Sequence, residues 1–210
     1  MDVHPPQHPI HSLKDFLLHL LTITIGLLIA LSLEAAVEAA HHRHLVRDAH
    51  EHLRREIEEN HNLYAKNSQE LQSNRSQLAR DIEQLRELRN GKALANPALR
   101  WAWAWDSYAD AAWKTAQESG AAPYMDQGWI STYTWVYAQQ QYVNSTALAL
   151  MNEETRASAP LRAAENPSKL GAGEIQTLLV KSAEIDLSFE TLETTMKALD
   201  DMYLDALKRP

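Results

Sequence analysis

The feature that most constrains this chain is an uninterrupted apolar run near its amino end. From Phe16 to Leu33 the sequence FLLHLLTITIGLLIALSL carries no formal charge over 18 residues. At about 1.5 Å per residue a helix of that length is about 27 Å long, close to the roughly 30 Å hydrocarbon thickness of a bilayer. A buried helix of a soluble domain normally keeps a polar stripe, whereas only His19, Thr22, Thr24 and Ser32 interrupt this stretch. The expectation is a transmembrane helix over residues 12–37, starting at a Ser12 cap with Asp15 three residues on. A cleaved signal peptide has a shorter apolar region and a small-residue cleavage site, while here the helix continues through Glu34 and Glu38 without a breaker, so an uncleaved anchor is expected. Residues 1–11, with Pro5, Pro6 and Pro9, read as a solvated His/Pro tail.

Between Ile10 and Ala95 there is no proline, and Gly26 is the only glycine before Gly91. One helix can therefore run from the anchor through a charged stretch, residues 38–90, to a stop at Asn90, Gly91 and Lys92. His50, Ile57, Tyr64, Leu71, Leu78 and Leu85 recur every seven residues, and Leu53, Asn60, Asn67, Asn74, Asp81 and Leu88 form the alternate register. The pair gives the 3-4 spacing of a coiled-coil seam. Half of it is polar, and three successive Asn make a weak two-stranded zipper, so other helices are expected to share this face unless the Asn side chains simply meet water.

Residues 97–208 are expected to complete the domain. Pro97 opens a second helix reaching about Ser119, with Trp101, Trp105 and Tyr108 on one side, Trp103 nearly opposite, and Trp113 further along. A third runs from about Tyr124 to Ala157, and Pro160, Pro167, Gly171 and Gly173 mark a long loop over 158–173. The fourth, from Glu174 to Leu207, has the cleanest stripe: Ile175, Leu178, Ser182, Ile185, Phe189, Leu192, Met196, Leu199, Tyr203 and Ala206. No strand-like alternation bounded by hairpin turns occurs, so the expected fold is all-α, an antiparallel bundle in which the long helix packs with three others.

Several stretches are similar to a family of uncharacterised bacterial single-pass membrane proteins. They are IGLLIALSLEAAVE (Ile25–Glu38), RHLVRDAHEHLRREIEEN (Arg43–Asn60) and AWKTAQESGAAPYM (Ala112–Met125). The resemblance implies membrane attachment and an all-helical domain; it transfers no catalytic residue.

Candidate chemistry is thin. All ten histidines lie within the first 61 residues. Glu34, Glu38 and His41 share a helical face, and Glu38 to His41 has the Glu-x-x-His spacing of carboxylate metal bundles. Glu58 to His61 repeats that spacing, but 20 residues along one helix is roughly 30 Å, too far to share a site. Interfacial histidines tolerated near lipid head groups are the plainer account. With no cysteine, no phosphate loop, no dinucleotide fingerprint and no nucleophile elbow, neither an enzyme nor a cofactor is expected. A net charge of −8 argues against nucleic acid as a partner. His19, Thr22, Gly26, Ala30 and Leu33 fall in a narrow arc whose small residues would let a second span approach closely. Trp103 and Trp113 are candidates for a partner surface.

The expectation is thus a membrane-tethered interaction or scaffold module, with a bilayer and a protein partner or second copy as its contacts. The alternative is a metal- or pH-responsive sensor built on the histidines. Lys14 precedes the anchor, while Arg43, Arg47, Arg54 and Arg55 follow it, so the positive-inside rule favours a cytoplasmic bundle on a bacterial inner membrane.

Overall fold

The computed structural model describes residues 12–94, 104–164 and 167–209. The described residues form four α-helices: α1 (Leu13–Arg89), α2 (Ala111–Glu118), α3 (Gln127–Ala163) and α4 (Ala172–Lys208). Short 3-10 turns lie at Ala122–Tyr124 and Pro167–Lys169, and the described residues contain no strand. The all-α expectation holds. The chain divides into two compact units, 1–48 and 49–210.

In the first unit the described residues are helical from Leu13 onward. The Ser12 hydroxyl accepts from the Asp15 amide at 3.3 Å, which satisfies one of the orphan donors at the start of α1. The leucines and isoleucines of the apolar run are exposed, from Phe16 to Leu33. This length of helix is long and apolar enough to cross a membrane. Thr22, Thr24 and Ser32 each donate to the carbonyl four residues back, at 2.6–2.9 Å, so their hydroxyls are satisfied within the helix.

The second unit is a bundle of α3, α4 and the part of α1 after Asp48. Residues on α1 pair with α4 in descending order, His61 with Asp200, Arg75 with Asp186 and Arg89 with Gln176. Pairing with α3 ascends, His50 with Tyr133, Glu56 with Tyr137 and Asn60 with Gln140. Thus α4 is antiparallel to both neighbours, while α1 and α3 run parallel. A parallel pair needs a long connection back along the bundle, and residues 90–126 supply it.

All ten stripe residues of α4 are buried. Phe189, Leu192, Leu199 and Tyr203 are fully enclosed. On α1 the seam also packs inward: Leu53, Ile57, Asn60, Asn67, Leu71, Leu78, Asp81, Leu85 and Leu88 are buried. At one end Leu85, Leu88, Leu161, Ile175 and Leu178 form a leucine-rich core, against which Leu94 and Leu170 pack. There α1 stops as expected, with Gly91 at φ +79°, a left-handed conformation suited to glycine.

Two expectations about the connections need correction. The second helix does not begin at Pro97: residues 104–110 are not helical, α2 is only eight residues, and Pro97 itself lies outside the described residues. Trp105 and Tyr108 therefore do not share a helix face. The third helix runs past Ala157 and through Pro160 to Ala163, so the loop expected over 158–173 shortens. Pro160 sits in the last turn on an exposed face, where the missing amide leaves only the Arg156 carbonyl to solvent.

Candidate functional site

The connection from α1 back to α3 holds the most distinctive arrangement in the molecule. Residues 104–110 form a non-helical strap laid along α1 and α3, with its backbone paired to side-chain amides. Asn67 donates to the Asp106 carbonyl at 2.9 Å and accepts from the Asp106 amide at 3.4 Å. Asn60 donates to the Ala109 carbonyl at 2.8 Å and accepts from its amide at 2.9 Å. From α3, Asn144 makes the same two bonds to Tyr108, both 3.1 Å. Each carboxamide presents one donor and one acceptor side by side, as a neighbouring strand would, and so satisfies both backbone groups of one residue. Asn74 is not part of this set: it donates to its own helix at Glu70.

The clamp is tied into the core. Asn60 also donates to the Gln140 side-chain Oε1 at 3.0 Å; the Gln140 amide in turn donates to the Ala109 carbonyl at 2.7 Å, and its Oε1 accepts from the Tyr203 hydroxyl at 2.7 Å. The Tyr108 ring is buried, edge-on to Tyr203 at 6.0 Å and to Trp105 at 5.7 Å. Burial pushes its phenol up to about 12. Beyond the strap, the buried Glu56 carboxylate accepts from the Ala112 amide at 2.9 Å and from the Tyr137 hydroxyl at 2.8 Å. The former satisfies an orphan donor at the start of α2 and places an acid at its positive end. Two polar positions of the α1 seam thus serve the strap: Asn60 and Asn67 neither meet water nor pair with another Asn.

The other residues singled out from sequence fall as follows. His19, Thr22, Gly26, Ala30 and Leu33 are exposed, and a side chain at Gly26 would meet nothing within 4 Å. Glu34, Glu38 and His41 are exposed as well. Among the described residues no three His, Asp or Glu side chains converge in a metal-holding geometry. Trp103 lies outside the described residues. Trp113 is half-buried, stacked on Tyr137 at 6.0 Å with planes 7° apart, so packing within the bundle engages it. Sequence reasoning missed Gln140 and Asn144; their signal was present as polar residues on the inward side of the third helix.

Two histidines are engaged with the bundle. The His50 Nδ1 lies 3.0 Å from the Tyr133 hydroxyl, and its ring sits edge-on to Trp129 at 5.0 Å. Burial lowers its pKa. His61 Nδ1 is 2.7 Å from Asp200 Oδ1.

A groove of about 500 Å³ runs between α3 and α4, with Ala157, Leu178 and Ile185 among its apolar lining. Its acids are already engaged: Glu153 accepts from Ser188, Glu184 pairs with Lys181, and Glu174 accepts from the Gly171 amide. Nearby in sequence, Glu154 is buried on the inward face of α3, and burial raises its pKa to about 7. The folded state holds this proton more tightly than the unfolded chain, so a penalty grows as pH rises from about 4.5 to 7 and is then constant. Glu154→Gln is expected to stabilise the protein by about 2 kcal/mol at pH 8, after discounting for partial hydration, and to change little at pH 4. Denaturant titrations at the two pH values check it.

No protein-family model matches the chain, and neither a curated protein nor a solved structure matches it.

Proposed function

We propose that the chain is a membrane-tethered helical interaction module without catalytic activity, anchored by its apolar helix in a bacterial inner membrane with the bundle on the cytoplasmic side. The exposed apolar stretch from Phe16 to Leu33 carries this reading, because in water it would be an aggregation liability and in lipid it is matched to its solvent. The bundle supports it by default of chemistry: its buried acids Glu56, Asp81 and Glu154 sit under packing or structural hydrogen bonds, and the acids lining the α3–α4 groove are engaged with neighbours.

Affinity isolation of the full chain from native membranes tests the interaction role. A stoichiometric partner or self-association is expected; a solitary monomer would contradict it. For a second copy, the arc at Thr22, Gly26 and Ala30 is the expected contact, and Gly26→Ile should weaken the signal in a membrane two-hybrid assay. An unchanged signal removes that face from the account. Sidedness rests on Arg43, Arg47, Arg54 and Arg55 after the anchor against Lys14 before it. Fusions of alkaline phosphatase and green fluorescent protein after Pro210 check it: fluorescence without phosphatase activity is expected, and the reverse places the bundle in the periplasm.

The second reading, a pH- or metal-responsive sensor, is favoured by His50 in its aromatic surroundings. A lowered histidine pKa means the unfolded chain binds the proton more readily. The contribution of neutral His50 is therefore intact above the ordinary value of 6.5 and is lost as pH falls through the lower folded value. A sensor would change helicity or melting temperature with Zn²⁺ or between pH 5 and 8 by more than this one group accounts for; a scaffold would not.

A further inference from the structure

We propose that the surface shared by α1 and α3 is a binding site for an extended peptide segment, that the chain's own strap occupies it as a tethered ligand, and that a partner protein presenting such a segment displaces the strap. This deepens the interaction reading and rests on it. The contacts are those of a peptide receptor. Asn67, Asn144 and Asn60 each take both the amide and the carbonyl of one strap residue, Asp106, Tyr108 and Ala109 in turn. Bonds to backbone do not depend on the bound sequence, so any chain in this conformation can make them, as in strand addition to a sheet edge.

Selectivity comes first from Tyr108, and second from the half-buried Trp105, whose indole donates to Asn144 at 3.3 Å. Tyr108 is the only buried residue among 104–110, and Trp105, Asp106, Ser107 and Ala109 keep contact with water. The ion pair of Asp106 with Lys66 is exposed on both sides and adds little. A segment held by exchangeable backbone bonds, one buried aromatic anchor and a half-buried indole can be replaced by another that makes the same bonds, because the polar groups of the clamp are satisfied in either state. The partner's segment is accordingly extended, carries an aromatic residue at the Tyr108 position, gains from a second aromatic three residues before it, and tolerates varied residues at the exposed positions of Asp106, Ser107 and Ala109.

The test uses the full chain in lipid nanodiscs and a fluorescein-labelled peptide with the sequence of residues 104–112, AWDSYADAA. In the unaltered protein the tethered strap competes at an effective concentration on the order of millimolar, so the peptide binds weakly. Tyr108→Ala weakens the strap and should tighten peptide binding at least about tenfold, the competition being intramolecular. Adding Asn144→Ala to that variant, or replacing the peptide's tyrosine by alanine, should abolish the gain. Equal binding by the unaltered protein and Tyr108→Ala, or binding indifferent to Asn144→Ala, overturns the proposal.

Hydrogen exchange on the unaltered chain decides independently of whether the variant folds. Displacement requires the amides of Asp106, Tyr108 and Ala109 to exchange at least about a hundredfold faster than those of Val143 and Leu150 in α3, as for a locally opening segment. Equal protection overturns it. Failure of the chain to enter nanodiscs would instead count against the membrane reading, since disc entry does not involve the strap.

Discussion

Replacing Phe189 by alanine is expected to cost about 3–5 kcal/mol, the range for emptying a phenylalanine site that cannot collapse. Phe189 lies mid-stripe on α4 with no solvent exposure, between Ile185 and Leu192, which are buried too. In a close-packed interior the surroundings relax only in part and leave a cavity, so the lost transfer free energy and the lost packing add. Chemical denaturation of the full chain in detergent, following helicity, reads the change. A loss below about 1 kcal/mol would mean that α4 is not the element closing the bundle.

The second large effect is expected from cutting the clamp on both helices. Asn60→Ala with Asn144→Ala removes three bonds at each position, those to Ala109 and Gln140 on one side and those to Tyr108 and Trp105 on the other. At about 1 kcal/mol net for each bond, less what water and alternative partners restore, the double variant should lose about 3 kcal/mol. Gln140 still reaches the Ala109 carbonyl, which limits the damage, and alanine regains some helix propensity. The distinctive sign is local. Exchange of the strap amides should accelerate far more than exchange in α4, whereas Phe189→Ala should accelerate both together.

The helices of this fold were legible where a single period governs them. On α4 the spacing of three and four predicts ten inward residues, and all ten are buried, because a helix packed on two others must keep one continuous stripe. The same logic locates the α1 seam and its stop at Gly91. Periodicity fails at residues 104–110. Trp101, Trp105 and Tyr108 have helical spacing, yet the strap is not helical, since its backbone is paired by amides from residues 31 to 49 positions away. Such pairing is invisible to local pattern. Its trace was the run of Asn in the α1 seam, which has an obvious cost in a zipper and a clear use against a bare backbone. Pro160 misled for a related reason: proline forbids a helix interior but not an exposed last turn.

The proposed tethering requires the bilayer as the solvent of Phe16 to Leu33. Flotation of the expressed full chain through a density gradient, after an alkaline carbonate wash that strips peripheral proteins, tests this most directly. The chain is expected to float with lipid after the wash, and replacing Leu21, Ile25 and Leu28 by arginine is expected to release it, each charge at mid-bilayer costing about 2.5–3.5 kcal/mol. Recovery of the unaltered chain in the washed, lipid-free fraction would contradict it.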